Sequence, residues 1–407
     1  ADPSELGARL EELRVGVDAV TLVMADTQLT PYDGGTVGSR TPSDMAPRLR
    51  AAAAAARQVL LAEAAKRWNT EPAKLQITDG KIHRDRADAA ADVLTFGQLT
   101  QGRKLTEVID DRAPLTPPKD WRVAGTSVLK VDGRAFVTGA HRYTSDLALP
   151  GMVRGKVLRS PTLGGTLKEL DASGLDSMKD VQLVRDGGFV GVVAPREFLA
   201  DPALAALKAE WTPGPPISSR TLFDDLKARG RETRARAEAS DSRGLRRQGS
   251  IADGMKQADV RLEQTYTIAY IAHAPLEPRA AVARWEDDGT LTVWTGTQRP
   301  FGVRSELAQA FNLPENQIRV IVPDTGSGYG GKHYGDAAVE AARLARAVKK
   351  PVKLVWTREE EFTWAYFRPA GVIEINAGVA HDGKLTAWEH HNINSGASGI
   401  GTPYVVP

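Results

Sequence analysis

Between Gln317 and Arg346 the polarity pattern changes twice (QIRVIVPDTGSGYGGKHYGDAAVEAARLAR). An apolar, β-branched run from Ile318 to Val322 predicts a strand. Five glycines between Gly326 and Gly335 predict a loop, and an alanine-rich amphipathic pattern from Asp336 predicts a helix. A similar order occurs earlier. VDAVTLVMA (Val17 to Ala25) predicts a buried strand, Asp26 to Pro42 a Gly-, Thr- and Ser-rich loop, and Asp44 to Trp68 a long helix capped by Ser43 or Asp44. The alanines from Ala51 to Ala56 would let that helix pack closely on a sheet. Short strands and turns follow from Thr70, and a proline-rich linker (APLTPPKDW) ends at Trp121.

Beyond the linker, residues 131–161 predict short strands broken by turns, and Val181 to Val184 with Gly188 to Val193 predicts a hairpin around Asp186-Gly187. Pro202 to Ala209 predicts a short helix. Arg229 to Arg247 predicts a solvated helix, because no apolar face runs through it. Alternation in Ala281 to Trp294 and in Gly371 to Glu389, around Asp288-Gly289 and Asp382-Gly383, predicts two more hairpins. Between them lie a helix (Phe301 to Phe311) and a strand (Pro351 to Trp356). The pattern is that of an α+β, multi-domain chain with segments at 1–120, 121–240 and 241–407. The last strand runs into GASGIGTPYVVP without a closing element, which reads as an interruption.

Composition narrows the chemistry. The chain has 407 residues, of which 42% are hydrophobic and 26% charged, as in ordinary globular proteins with two or three domains. The 53 basic and 51 acidic residues leave a net charge of +2, so no electrostatic case for nucleic acid arises. No apolar run approaches the length of a membrane span, and no secretion signal is recognisable at the N-terminus. Cytoplasm and periplasm both stay open, since any signal would precede Ala1 in the parent chain. Cysteine is absent, which excludes disulfides, thiolate metal sites and cysteine-held iron–sulfur clusters within this chain. The seven histidines show no paired ligand spacing, so no protein-ligated metal is expected.

The glycine loop is the main candidate site, because closely spaced glycines bring backbone N–H groups up to an anion at a helix start. Gly326, Gly331 and Lys332 also fit a P-loop, although His333 stands where Ser or Thr would hold magnesium. A nucleotide binder is therefore one reading. The N-terminal loop offers a second set of amides. His273 and Glu277 read as strand residues, with Glu277 and Arg279 a candidate buried pair. Gln298 and Arg299 stand at a helix start, where they cap it or touch a ligand. Glu359, Glu360 and Glu361 read as solvated. His390 and His391 are adjacent on a strand and face opposite ways.

Four stretches together resemble the molybdenum-binding large subunits of the xanthine dehydrogenase/aldehyde oxidase family, nearest to the branch of the isoquinoline 1-oxidoreductase β-subunits. Residues 131–161 are similar to the opening of the family's hammerhead domain, and HAPLEPRAAVA (273–283) to its "HxxLEPxxAVA" segment. Residues 295–333 are similar to its helix and glycine–aromatic–glycine–glycine–lysine loop. ADTQLTPYDGGTVGSRT (25–41) is similar to its pterin-binding loop.

The resemblance implies a hammerhead domain at 121–240, flanked by partial cofactor-binding regions at 1–120 and 241–407. It implies a molybdenum–molybdopterin cofactor in the cytosine dinucleotide form, whose dithiolene holds the metal, so that no cysteine is needed. Iron–sulfur clusters would lie on a separate small [2Fe-2S] subunit. The reaction implied is hydroxylation of an aldehyde or N-heterocycle with oxygen from water. Cofactor contacts would come from Gly328, Tyr329, Gly330, Gly331 and Gln298, and near the phosphates from Thr36, Gly38, Ser39 and Arg40. His333, Ile271 and Glu277 would line the substrate pocket. His333 replaces a glutamate of xanthine-type members, which argues against a purine, and Ile271 replaces a glutamine that some members direct at the metal's oxo group. The family's catalytic glutamate lies beyond Pro407 and its pterin contact ahead of the first loop is missing, so the resemblance implies a fragment truncated at both ends, with none of the residues here expected to be catalytic. A non-catalytic relative with the same fold is the third reading.

Overall fold

A computed structural model of the chain describes residues 11–84, 92–103, 112–216, 218–240, 247–396 and 401–406. Backbone contacts divide the chain into two units. The first is Ala1–Leu147 with Gln298–Arg304 and Arg319–Asp324; the second is Ala148–Thr297 with Ser305–Ile318 and Thr325–Pro407. Both mix helices with mainly antiparallel strands, as the α+β expectation requires.

In the first unit, helix α1 (Thr41–Trp68) starts before the expected Asp44, because Pro42 in its first turn presets a helical φ. Asn69 ends it in the left-handed region at φ 50° and returns its N–H to Ala65 and Lys66. The antiparallel strands β1 (Leu75–Thr78), β2 (Lys81–Arg84) and β3 (Val93–Thr95) follow, then helix α2 (Phe96–Thr100) with a Thr95/Gln98 capping box. Leu60, Ala64 and Ala65 pack with Leu75, Ile82, Leu94 and Leu99 to form the core. Two buried carboxylates tie the chain down. Glu12 receives Arg50 at 2.9 Å and Arg57 at 2.5 Å, together with the Thr116 N–H at 2.9 Å. Glu11 receives the N–H groups of Arg122 and Ala124 at 2.7 and 2.9 Å.

The expected strand at Val17 to Ala25 is not formed. Val17–Ala19 is a 3₁₀ turn, and Val23 and Met24 are exposed. Apolar composition gives a strand preference but supplies no ladder partner. Pairing begins at Asp26, which bridges Ile321. Part of 131–161 is likewise helical rather than extended, as α3 (Gly133–Thr138).

The second unit contains β4 (Val153–Val157), β5 (Thr166–Asp171), β6 (Gln182–Asp186), β7 (Phe189–Ala194), helix α4 (Glu197–Ala205), β8 (Lys208–Thr212) and helix α5 (Leu222–Ser240). Helix α4 thus ends earlier than predicted, and Lys208 onward is extended, paired with β5. Next come β9 (Val260–Ile268), β10 (Ala280–Trp285) and β11 (Leu291–Thr295). Helix α6 (Pro300–Phe311) and strand β12 (Ile318–Ile321) each cross the division between the units. Helix α7 (Asp336–Val348), β13 (Val352–Val355), helix α8 (Arg358–Thr363), β14 (Gly371–Val379) and β15 (Leu385–Ile393) complete the order.

Within the second unit the main sheet runs β11-β10-β13-β4-β7-β6, antiparallel except where β13 meets β4. Strands β9, β14 and β15 make a separate sheet. All three predicted hairpins form. Helix α7 lies on the main sheet through Ala337, Ala338, Ala341, Ala342, Leu344 and Ala345, all buried. Leu344 reaches between strands because Gly155 and Gly191 stand below it. A Cβ at either glycine would lie 2.5 or 2.8 Å from a Leu344 methyl.

Candidate functional site

The glycine loop between β12 and α7 is bent by one carboxylate. Glu277 Oε2 accepts the Gly326 N–H at 2.8 Å and the Lys332 ammonium at 2.8 Å, so the two ends of the arc meet at one oxygen. The Glu277 N–H also donates to Gly326 O at 3.3 Å. Lys332 is 1% exposed. Burial pulls its pKa down, partly offset by Glu277. Beside it, buried Arg279 donates to Gly331 O and to Glu361 Oε2, and Thr297 Oγ1 donates to Lys332 O at 2.9 Å.

The glycines have local reasons. A Cβ at Gly326 would lie 2.7 Å from Glu277 Cβ, and one at Gly331 2.9 Å from His273 Cβ. Gly330 has φ 95°, which favours glycine. Ser327 and Tyr329 adopt φ of 76° and 54°, a strained conformation for side-chain-bearing residues, and the Tyr329 ring stands 71% exposed. Glu306 accepts the Gly335 N–H at 2.7 Å at the head of α7. Lysine and helix head thus both face carboxylates, which removes the phosphate ligands that a P-loop needs.

Several expectations are corrected here. Glu277 pairs with Lys332 and not with Arg279, whose partner is Glu361 at 2.5 Å. His273 and Glu277 precede β10 in irregular backbone and are not strand residues. Glu361 is buried and Glu360 bonds Arg159, so neither is solvated. Each correction to a carboxylate has the same cause: a cation distant in sequence makes its burial tolerable. Ile271 is 53% exposed and bridges Arg368. His333 follows Lys332, partly buried. His391 Nε2 lies 2.9 Å from both Glu389 and Arg234. No group of three or more His, Asp or Glu suited to a metal ion gathers among the described residues.

In the first unit, Thr36 and Gln298 come together. The Thr36 N–H donates to Gln298 O at 2.8 Å, and Gln298 Nε2 donates to Thr36 O at 3.1 Å. Gly35, at φ 101°, sits against Arg299, where a Cβ would come within 2.5 Å of Arg299 Cγ. Gly38 and Ser39 are left-handed, and Thr36, Gly38, Ser39 and Arg40 are exposed ahead of α1. Arg319 clamps both carboxylate oxygens of Asp26, at 2.6 and 3.0 Å. Burial raises the Asp26 pKa, but Arg319 and the Gln28 N–H outweigh it and hold it low.

Two family models, each described as a molybdopterin cofactor-binding domain, match residues 9–142 and 236–406. The two candidate loops fall one in each match. The chain belongs to the molybdopterin-binding large subunits of the xanthine dehydrogenase/aldehyde oxidase family. It is 34% identical to a nicotinate dehydrogenase subunit of Pseudomonas putida over 93% of its own length and 32% of that protein's. It is 27% identical to the isoquinoline 1-oxidoreductase β-subunit of Brevundimonas diminuta over 87% of this chain and 50% of that one. The chain therefore spans a third to a half of these relatives. Among solved structures, quinoline 2-oxidoreductase from Pseudomonas putida 86 superposes with a TM-score of 0.53 at 23% identity, over 65% of this chain and 38% of that one. CO dehydrogenase from Oligotropha carboxidovorans gives 0.53 at 21% identity, over 66% of this chain and 39% of that one. These two likenesses show the fold.

The buried network of Arg279, Lys332 and Glu361 was missed in the sequence. Its one visible signal is that LEP-R and GG-K lie in two of the four stretches that carry the family resemblance.

Proposed function

We propose that this chain is part of the large subunit of a molybdenum hydroxylase that oxidises an N-heterocycle or an aldehyde, taking oxygen from water. The observation that carries the reading is the loop at 326–333. Glu277 and His273 fill the space behind Gly326 and Gly331, while Tyr329 projects outward. The residues fit a bound organic group: Ser327 Oγ and Glu277 Oε1 are buried with no hydrogen-bond partner among the described residues. Gly328, Tyr329, Gly330 and Gly331 would hold the cofactor near its metal. Gln298, Thr36, Gly38, Ser39 and Arg40 are proposed as further cofactor contacts, the last four toward phosphate. When bound, the cofactor supplies two-electron oxidation at molybdenum. This chain's part is to hold it in the glycine loop and to present a ring-lined face to substrate, with His333, Ile271 and Glu277 as the proposed pocket residues.

The cytosine dinucleotide form, a separate [2Fe-2S] subunit as electron acceptor, and a hammerhead domain over 121–240 belong to the same proposal. The support is the resemblance to the isoquinoline branch and the similarity to proteins named as subunits. The test is to produce the complete protein with its genetic neighbour subunit and measure molybdenum, pterin and released cytidine nucleotide. Near-stoichiometric metal and pterin are expected. A folded complex with neither would overturn the reading, and a loaded one that reduces no dye with any aldehyde or N-heterocycle would favour a non-catalytic relative.

A further inference from the structure

We propose that His273 is a specificity-determining residue of the glycine-loop site, offering Nε2 as a hydrogen-bond acceptor to a planar heteroaromatic ring that bears an N–H donor. The inference deepens the proposed function and rests on it. Its first support is the tautomer. His273 Nδ1 lies 3.1 Å from the Tyr366 carbonyl oxygen. A carbonyl only accepts, so Nδ1 carries the proton, and in the neutral ring Nε2 carries the lone pair. Burial lowers the His273 pKa and, with Arg279, His333 and Arg368, outweighs the raising effect of the Tyr366 carbonyl, which favours the neutral ring near pH 7.

The second support is position. A Cβ on Gly330 would lie 3.4 Å from His273 Nε2, which puts the accepting edge beside the middle of the loop. The third is the company of rings. The His273 ring is near-parallel to Tyr366, 22° apart in plane at 5.8 Å, and Tyr334 meets Tyr366 edge-on at 5.2 Å. Tyr329, Tyr334 and Tyr366 are 71%, 46% and 39% exposed, so the loop is bordered by aromatic faces available for stacking. Flat faces beside a single acceptor suit a ring of the lactam or protonated-nitrogen type. An aldehyde carries no donor for Nε2, and neither does an unprotonated pyridine-type ring, so this geometry selects N–H-bearing heterocycles from the two proposed substrate classes.

The test uses the complete, cofactor-loaded protein and two probes, 2-pyridone and N-methyl-2-pyridone, which share a ring but differ in the N–H. Wild type is expected to bind 2-pyridone more tightly by about 3- to 10-fold, the worth of one hydrogen bond. His273→Phe keeps a ring against Tyr366 but loses the acceptor, and should bring the two probes to parity. His273→Gln restores an acceptor and should recover part of the preference. Nitrogen NMR of wild type gives a readout independent of either variant's folding: the Nε2 resonance should move with 2-pyridone and not with its N-methyl analogue. Equal binding of both probes, binding of neither, or a preference that survives His273→Phe overturns the proposal. Molybdenum content of the same sample separates the two readings. Protein without metal or pterin that still prefers 2-pyridone defeats the function and leaves the His273 acceptor standing, whereas loaded protein without the preference does the reverse.

Discussion

Lys332 is a charged residue placed where water does not reach, and Glu277, its ion-pair partner, holds both ends of the loop. Removing one partner of such a pair strands the other charge, at a cost of about 3–5 kcal/mol, while replacing both leaves neither. Lys332→Met and Glu277→Gln should each lower stability by that order in urea denaturation. The double variant should cost clearly less than their sum; strict additivity would show that the two do not interact. His273 gives a pH-dependent counterpart. Its folded pKa lies below the ordinary 6.5, so the unfolded chain binds the proton first as pH falls. The stability tied to the neutral ring is thus fully present above pH 6.5 and lost as pH falls from there toward the folded value. The stability gap between wild type and His273→Gln should shift against wild type between about pH 7 and 5. A gap constant over that range would mean that the ring is not held neutral. None of this was legible residue by residue. A lysine after two glycines looks solvated, and Glu277 offered itself as a partner to nearby Arg279; only a contact across more than fifty positions makes Glu277 and Lys332 the buried pair.

At the scale of elements the chain was easier to read, because periodicity is local. The strand, glycine loop and helix from Ile318 to Val348 form where the pattern put them, as do the hairpins around Asp186, Asp288 and Asp382. Val17 to Ala25 misled because a strand needs a neighbour as well as a composition. What the pattern could not show is how α7 seats on its sheet. Small residues on the helix and two glycines on the strands leave one deep knob, Leu344. Leu344→Ala should cost about 2–5 kcal/mol, since the hole between Gly155 and Gly191 would be left empty. Gly191→Ala should also destabilise, because its Cβ would lie 2.7 Å from the Lys156 carbonyl oxygen, a backbone atom with little freedom to move. Chemical denaturation of both variants checks the fit. A neutral Gly191→Ala would show that the strands can part to admit a methyl group.

Each unit carries a glycine-bearing loop that the sequence had marked, and each loop lies within a match to a molybdopterin cofactor-binding domain. The family was legible because such loops are constrained by what their backbone must approach, which leaves glycine, φ and spacing little latitude. The substrate was not, because a proposed specificity residue such as His273 depends on a distant contact, here with the Tyr366 carbonyl. If the loop at 326–333 grips the cofactor, loading must stabilise the folded protein, by about 2.7 kcal/mol where free cofactor stands at a hundred times its dissociation constant. The complete protein from a cofactor-deficient host should therefore unfold at lower denaturant than the loaded form. Gly330→Ala, which forces a side chain into a φ of 95°, should shrink that difference by weakening the grip. A variant that loses stability equally in both forms would mark Gly330 as a folding residue alone. One that loses it chiefly in the loaded form would place the cofactor on this loop.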